Sequence, residues 1–312
     1  MTMTDRGLPL PTLPLLSVLW VVFLCFLFGA NAVAIKISLN GLGVFTTAGV
    51  RFGAASAVIG LWALATGQPL QLQKKQMGQL IIISLIFFVQ LSLFYTGLSK
   101  THASRGTLLA NIQPFFVLFL AHFFVPGDRI SWRKLLGIML AFGGVTLVFL
   151  DPAAALSDLK MGDMIILTAA FVWACNGVYT KRILKGLSPF QVVLYPTLVA
   201  TPLFFIEALV FEEVMIRRIE TQVVLAVMYQ AVVATAFGFV AWNTLLRKYG
   251  AVALHSFIFV MPMAGVLLGG LILKEPITPN VITALLLIVT GILLVNARGR
   301  KEMAIVHPGR NV

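Results

Sequence analysis

Apolar residues fill ten stretches of the chain, at about 14–37, 44–66, 77–98, 103–124, 132–150, 163–183, 190–212, 222–246, 251–272 and 279–297. A helix needs about 20 such residues to cross the roughly 30 Å hydrocarbon layer of a bilayer, and each stretch is of that order. Polar residues gather in the short connections between them. The longest connections are 67–76 and 151–162, and the stretch after Asn296 is only 16 residues long. The pattern predicts an all-α integral membrane protein with ten transmembrane helices and no soluble domain.

The ten stretches form two sets of five, and the second set repeats the first at an offset of 145 to 148. Asn31 and Lys36 recur as Asn176 and Lys181, and Gly41-Leu42 and Phe45 as Gly186-Leu187 and Phe190. Lys100 recurs as Lys248, Pro114 as Pro262, and Gly144 and Leu147 as Gly291 and Leu294. Five crossings are an odd number, so the second set begins on the opposite face and the halves are inverted copies. Secondary transporters use such repeats to obtain two conformations, one open to each side. The predicted division is a five-helix repeat at 1–150, a second, inverted one at 151–297, and a basic cytoplasmic tail at 298–312.

Composition sharpens this picture. Apolar residues make up 59% of the chain and charged residues 11%, with a mean hydropathy of +0.98, against about 25% charged in soluble domains. The net charge of +12 raises nucleic acid as a partner, but the placement of the cations argues for a lipid bilayer instead. With loops assigned alternately to two faces, the face holding both termini carries 15 cations and the other 7. Cytoplasmic loops carry the excess of lysine and arginine, so the expectation is a multi-pass protein of the cell inner (plasma) membrane with both termini cytoplasmic.

Several classes lose support. The first apolar stretch is too long for a signal-peptide core and lacks a well-placed small-residue cleavage site, so it reads as a retained span. Cys25 and Cys175 lie inside spans, where small apolar packing is the ordinary role. There is no CxxC, HExxH, Gly-rich phosphate loop or ordered Ser/His/Asp set. The expectation is therefore no enzyme, no metal and no cofactor.

A family resemblance rests on residues along nearly the whole chain. Span 1 reads Phe28-Gly29-Ala30-Asn31-Ala32-Val33-Ala34-Ile35-Lys36 and span 2 carries Arg51-Phe52. Then come Tyr95-Thr96-Gly97-Leu98, Ala103-Ser104, Leu109, Asn111-Ile112-Gln113-Pro114, Gly127-Asp128-Arg129-Ile130 and Gly137. The second half has Gly162-Asp163, Trp173, Trp242, Pro262, Glu275 and Gly291. In order and spacing these resemble the EamA family of the drug/metabolite transporter superfamily, which implies a ten-helix, two-repeat carrier. Two departures stand out: Phe28 replaces the family's usual tryptophan, and Gly43-Val44 lacks the proline that Ser188-Pro189 keeps in the second half. Span 1 also lacks the glutamate with which the small four-helix multidrug relatives exchange protons for cations. A neutral or zwitterionic substrate therefore fits better than a lipophilic cation.

Polar side chains at membrane depth are functional candidates because they are costly there. Gln90, Asn111, Gln113 and Trp173 fall near mid-depth; Asn31 lies outward of centre and Asn176 inward. Tyr95, Tyr179, Trp242 and His255 add aromatic and hydrogen-bonding surface. Together these are the candidate substrate contacts, and amide and aromatic groups suit an amino acid, an amine or an aromatic metabolite. The competing role for the amides is hydrogen-bonded glue between helices. Pro114 and Pro262 interrupt spans 4 and 9 at equivalent places and are candidate hinges. Arg51 and Glu207 lie at similar depth in spans 2 and 7. As an ion pair they would form an outer gate, and otherwise each snorkels to the interface. Asp128 and Glu275 follow spans 4 and 9 at matched positions and are expected to organise the turns there.

These features together predict a carrier for a small organic molecule, acting as a monomer by alternating access about a midplane cavity. The resemblance implies export. An uncoupled facilitator for small neutral solutes is the alternative, and an intramembrane enzyme or scaffold is disfavoured.

Overall fold

The computed structural model describes residues 14–124, 132–151, 157–183, 187–249, 254 and 257–296. The described residues are helical throughout, apart from turns and an isolated bridge between Leu42 and Ile216. The first half contains α1 (Leu15–Ser38), α2 (Val44–Ala65), α3 (Lys74–Lys100), α4 (Ala103–Ala110), α5 (Gln113–Phe124) and α6 (Trp132–Phe149). The second contains α7 (Ser157–Ile183), α8 (Pro189–Phe211), α9 (Thr221–Met228), a π-helical stretch (Tyr229–Phe239), α10 (Val240–Tyr249), α11 (Val260–Ile272) and α12 (Pro279–Asn296). Seven rods are long and apolar enough to cross a membrane by themselves, α9 to α10 counting as one. The α4–α5 pair, α11 and α12 complete ten crossings in two repeats of five.

Span 4 is broken rather than bent. Its turn lies at Asn111-Ile112, and Pro114 stands in the first turn of α5. Pro262 likewise stands in the first turn of α11. A proline there loses no intrahelical bond, so both prolines start helices instead of kinking continuous ones.

Packing across the two repeats is mirrored. Counterparts meet directly where α2 packs on α8, α6 on α12 and α4 on α11. The remaining contacts come in matched pairs. α3 packs on α7 and α8, while its counterpart, the α9–π–α10 rod, packs on α1 and α2. α1 packs on α11, while its counterpart α7 packs on α4 and α5. Two crossings depend on facing glycines. A Cβ on Gly97 would stand 2.9 Å from the Gly162 carbonyl oxygen, and one on Gly137 would stand 2.8 Å from that of Gly291, so only glycine lets α3 meet α7, and α6 meet α12, this closely. Large apolar side chains such as Leu61, Leu64, Leu209, Phe211 and Leu286 are exposed on the outside, as on a surface that faces lipid tails.

The equivalent helix starts are capped differently. Ser188 and Gln191 form a reciprocal capping box at α8, with Pro189 in the first turn. At α2 the cap comes from the end of α8. The Glu212 carboxylate accepts the Phe45 and Thr46 N–H groups and the Thr46 hydroxyl, and it occupies the space a side chain at Gly43 would need. The missing proline at this position is thus replaced by a carboxylate at a helix N-terminus.

Candidate functional site

Among the described residues three clusters of buried polar groups stand out, and they differ in how fully those groups are partnered. The first surrounds Arg51 of α2, only 2% exposed. Its Nε donates to Thr235 Oγ1 and its Nη1 to the Tyr95 hydroxyl, both at 2.9 Å. Tyr95 in turn donates to Gln230 Oε1 at 3.0 Å, and Gln230 Nε2 donates to the Ser38 hydroxyl at 2.6 Å and to the Ala34 carbonyl at 3.2 Å. Arg51, Tyr95, Gln230 and Ser38 thereby join α2, α3, the π stretch and α1. The π stretch is part of this arrangement, because Thr235 Oγ1 donates five residues back to the Gln230 carbonyl at 2.8 Å. Departures of this kind within a helix often mark functional sites. The expected Arg51–Glu207 ion pair does not form: Glu207 accepts from Ser92 Oγ at 2.6 Å instead. Similar depth on symmetry-related helices did not place the two side chains on facing sides.

The second place carries the symmetry most plainly. Asn176 of α7 donates to Gln90 Oε1 of α3 at 3.0 Å and accepts from Thr180 at 3.1 Å. The repeat offsets carry Asn176 onto Asn31 and Gln90 onto Gly238. The position equivalent to Gln90 is thus a glycine, whose nearest side-chain neighbour is Phe28, and Asn31 Oδ1 is buried without a hydrogen-bond partner. Along α1, Asn31 stands between two fastened turns. Tyr229 donates to the Leu27 carbonyl at 2.7 Å on one side, and Gln230 holds Ala34 on the other. Aromatic pairs flank both amide positions in matching fashion. Phe94 and Trp173 meet edge to face at 6.4 Å and 77°, and their counterparts Trp242 and Phe28 at 5.9 Å and 74°.

The third place lies at the end of the bundle opposite the chain termini. Arg105, 1% exposed, forms an ion pair with Asp163, donates to the Val148 carbonyl at 2.7 Å and lies 3.5 Å from Asp151. Asp163 also accepts from Thr101 at 2.6 Å, and Asp151 accepts from Thr278. Glu275, expected to organise the turn after span 9, instead caps α4 across the bundle through the Ala103 and Ser104 N–H groups at 2.6 and 2.9 Å. Lys36 caps the far end of α3 through the Leu98 and Thr101 carbonyls at 3.2 and 2.9 Å. His102, in the α3–α4 connection, has its proton affinity lowered by burial, with Glu275 opposing. Loop composition alone did not reveal this cluster. The visible signal was Arg105 just inside span 4, together with Asp151 and Asp163 bracketing one connection.

The remaining candidates are distributed unevenly. Gln113 reaches toward α7, its Nε2 3.6 Å from where a Cβ on Gly177 would stand, one residue beyond Asn176. Asn111 turns back to the Thr107 carbonyl at 2.8 Å, satisfying its own helix break. Tyr179 packs with Leu80, Ile83, Leu187 and Val192 nearer the termini face, apart from the amide pairs. His255 and Asp128 lie outside the described residues. Both cysteines are free thiols, and Cys25 is buried beside Val21, Tyr249 and Leu254. Among the described residues no cluster of three His, Cys, Asp or Glu is arranged to hold a metal.

Comparison with known proteins places this geometry in a family. The model of the EamA-like transporter family matches residues 15–150 and again 160–297. The chain is 28% identical over 291 residues to a "Probable amino-acid metabolite efflux pump" of Escherichia coli (strain K12), covering 90% of this chain and 95% of that protein. It is 26% identical to a "Probable terminal-alkyne amino-acid exporter" of Streptantibioticus cattleyicolor, covering 93% and 97%. A solved crystal structure shares the fold with a TM-score of 0.68 at 18% identity, covering 89% of this chain and 96% of that one.

Proposed function

This chain belongs to the EamA-like transporter family, and from that membership we propose that it is a secondary carrier that exports a small organic metabolite of the amino-acid class by alternating access. The observation that carries the reading is the contrast between a scaffold packed in mirrored pairs and an unmatched amide within it, the unpartnered Oδ1 of Asn31, well inside α1. The other buried polar atoms without a hydrogen bond among the described residues, Ser104 Oγ and Arg105 Nη1, lie at the helix-end cluster. A buried acceptor left unpaired costs about 1–3 kcal/mol, and a substrate N–H or ammonium group would recover it. The site is the space bordered by Asn31, Phe28 and Trp242 on one side and Gln90, Asn176, Gln113 and Trp173 on the other. The Asn176 side is read as glue and the Asn31 side as substrate contact. The buried Arg105–Asp163 pair, at the face opposite the termini, would serve as the gate on that side. The names of two relatives, both concerned with amino acids, support the class and the outward direction.

The mode of insertion is part of the proposal. Repeats at 1–150 and 151–297 would stand inverted in the cell inner membrane, the protein acting as a monomer with both termini and the basic segment 298–312 cytoplasmic. The 15-to-7 cation bias supports this. Single cysteines at Lys74 and Lys160 should label from opposite faces, the first from the cytoplasm.

Counterflow in proteoliposomes tests the function. Vesicles preloaded with each amino acid, or with its decarboxylated amine, are diluted into the labelled compound. Saturable uptake accelerated by the internal compound is the expected result. Uptake that rises linearly and ignores internal load would identify an uncoupled facilitator instead.

A further inference from the structure

Resting on the carrier reading above, we propose that Arg51 is the anchor for a carboxylate on the substrate, so that the transported compounds are carboxylic acids and not amines or neutral solutes. The two fully buried arginines among the described residues make the case by contrast. Arg105 is neutralised by Asp163 and approached by Asp151. Arg51 is as deeply buried, yet its hydrogen bonds go to two neutral hydroxyls, those of Thr235 and Tyr95, and its guanidinium lies 4.7 Å from the centre of the Phe52 ring. Among the described residues no carboxylate pairs with it. The two acids that might serve are engaged elsewhere, Glu207 with Ser92 and Glu212 with the start of α2. Removing one partner of a buried ion pair is strongly destabilising because it leaves an uncompensated charge. Here the chain itself supplies no such partner.

The geometry specifies what would fit. A guanidinium carries five N–H donors in a rigid fork. Nε is committed to Thr235 and one Nη1 hydrogen to Tyr95, which leaves the second Nη1 hydrogen and both on Nη2. Two such donors of a guanidinium can receive the two oxygens of a carboxylate side by side. The hydrogen bonds behind the fork run in one direction, from Arg51 to Tyr95 to Gln230 and on to Ser38 and Ala34. The fork is therefore held in place by groups on one side of it. The Tyr229 phenol is within electrostatic reach of Arg51 and bonds Leu27, one turn from Asn31, so the anchor and the unpaired amide belong to one neighbourhood of α1, α2 and the π stretch.

The experiment compares chemical forms of the same side chain in the counterflow assay: L-phenylalanine, L-phenylalaninamide and phenethylamine, and likewise L-leucine, L-leucinamide and isoamylamine. Wild type should favour the acids over both other forms by about tenfold or more. Arg51→Gln should bring the three forms to within about threefold of each other, with Arg51→Lys in between because it keeps the charge and loses the fork. Should Arg51→Gln fail to fold, the wild-type series and Arg51→Lys still decide. Equal handling of the three forms by active wild type would overturn the anchor and leave the carrier standing, as would a full preference for acids in Arg51→Gln. Absence of counterflow for every form would sink the carrier reading and the anchor with it.

Discussion

Asn31 and Asn176 occupy the same position in two copies of one five-helix unit, yet their surroundings differ. Asn176 is fully engaged, by Gln90 across the interface and by Thr180 on its own helix. The position equivalent to Gln90 is Gly238, which has no side chain to offer, and the carbonyl oxygen of Asn31 is left without a partner. The flanking aromatic pairs match in spacing and angle, so the difference is confined to the amide. A scaffold that rocks between two states needs matched interfaces on its two sides, whereas a binding site needs groups left free for the ligand. The two requirements are met by keeping the packing symmetric and letting a few polar side chains depart from the symmetry.

Restoring the missing partner should have the largest effect. Gly238→Gln places an amide where symmetry puts one, against a Phe28 ring only 2.8 Å from the position of a Cβ. Transport should fall more than tenfold while the protein still inserts and elutes as a folded species. Activity within twofold of wild type would show that the gap beside Asn31 holds no substrate.

Removing the amides separately should give opposite patterns. Asn31→Ala removes a group whose Oδ1 is unpaired, so the melting temperature in detergent should barely move, while affinity falls by about 1–3 kcal/mol if substrate supplies the partner. Asn176→Ala instead leaves Gln90 Oε1 unpaired inside the α3–α7 interface. A loss of about 1 kcal/mol, within the range for interhelical hydrogen bonds in membranes, should lower the melting temperature by about 2 °C and leave affinity near wild type. Exchange of these two signatures would assign the roles the other way round.

The smallest effect concerns the closed end. Burial lowers the proton affinity of His102, so the unfolded chain takes up that proton first as the medium is acidified. The stability this group contributes is present above about pH 6.5, its ordinary pKa, and is lost as pH falls through the lower folded value. Thermal melts from pH 7.5 to 5 should show a downward slope that is shallower in His102→Gln. An unchanged slope would remove His102 from the closed end's pH response.

The ten crossings were legible because apolar runs of this length admit little else, and the inverted copies because Asn31, Pro114 and Gly144 recur in order as Asn176, Pro262 and Gly291. Depth along a span was legible too, but angular position around the bundle was not. That is why Arg51 and Glu207 were matched in sequence while Arg51 turns to Tyr95 and Thr235, and Glu207 to Ser92. Pro114 marks a disturbance in span 4 without saying whether the helix hinges there or stops before it, and the break falls at Asn111-Ile112. The π stretch at Tyr229–Phe239 left no recognisable mark in the pattern. The caps from Glu212 and Glu275 depend on contacts about 170 residues apart, which no local motif encodes.

Ligand-induced thermal shift is the most direct test that substrate sits on the Asn31 side of an otherwise symmetric core. Wild type, Asn31→Ala and Asn176→Ala are melted with and without the amino acid that counterflow identifies. The predicted result is an equal upward shift in wild type and Asn176→Ala and little or none in Asn31→Ala. Equal shifts in all three proteins, or a shift lost in Asn176→Ala and kept in Asn31→Ala, would contradict it.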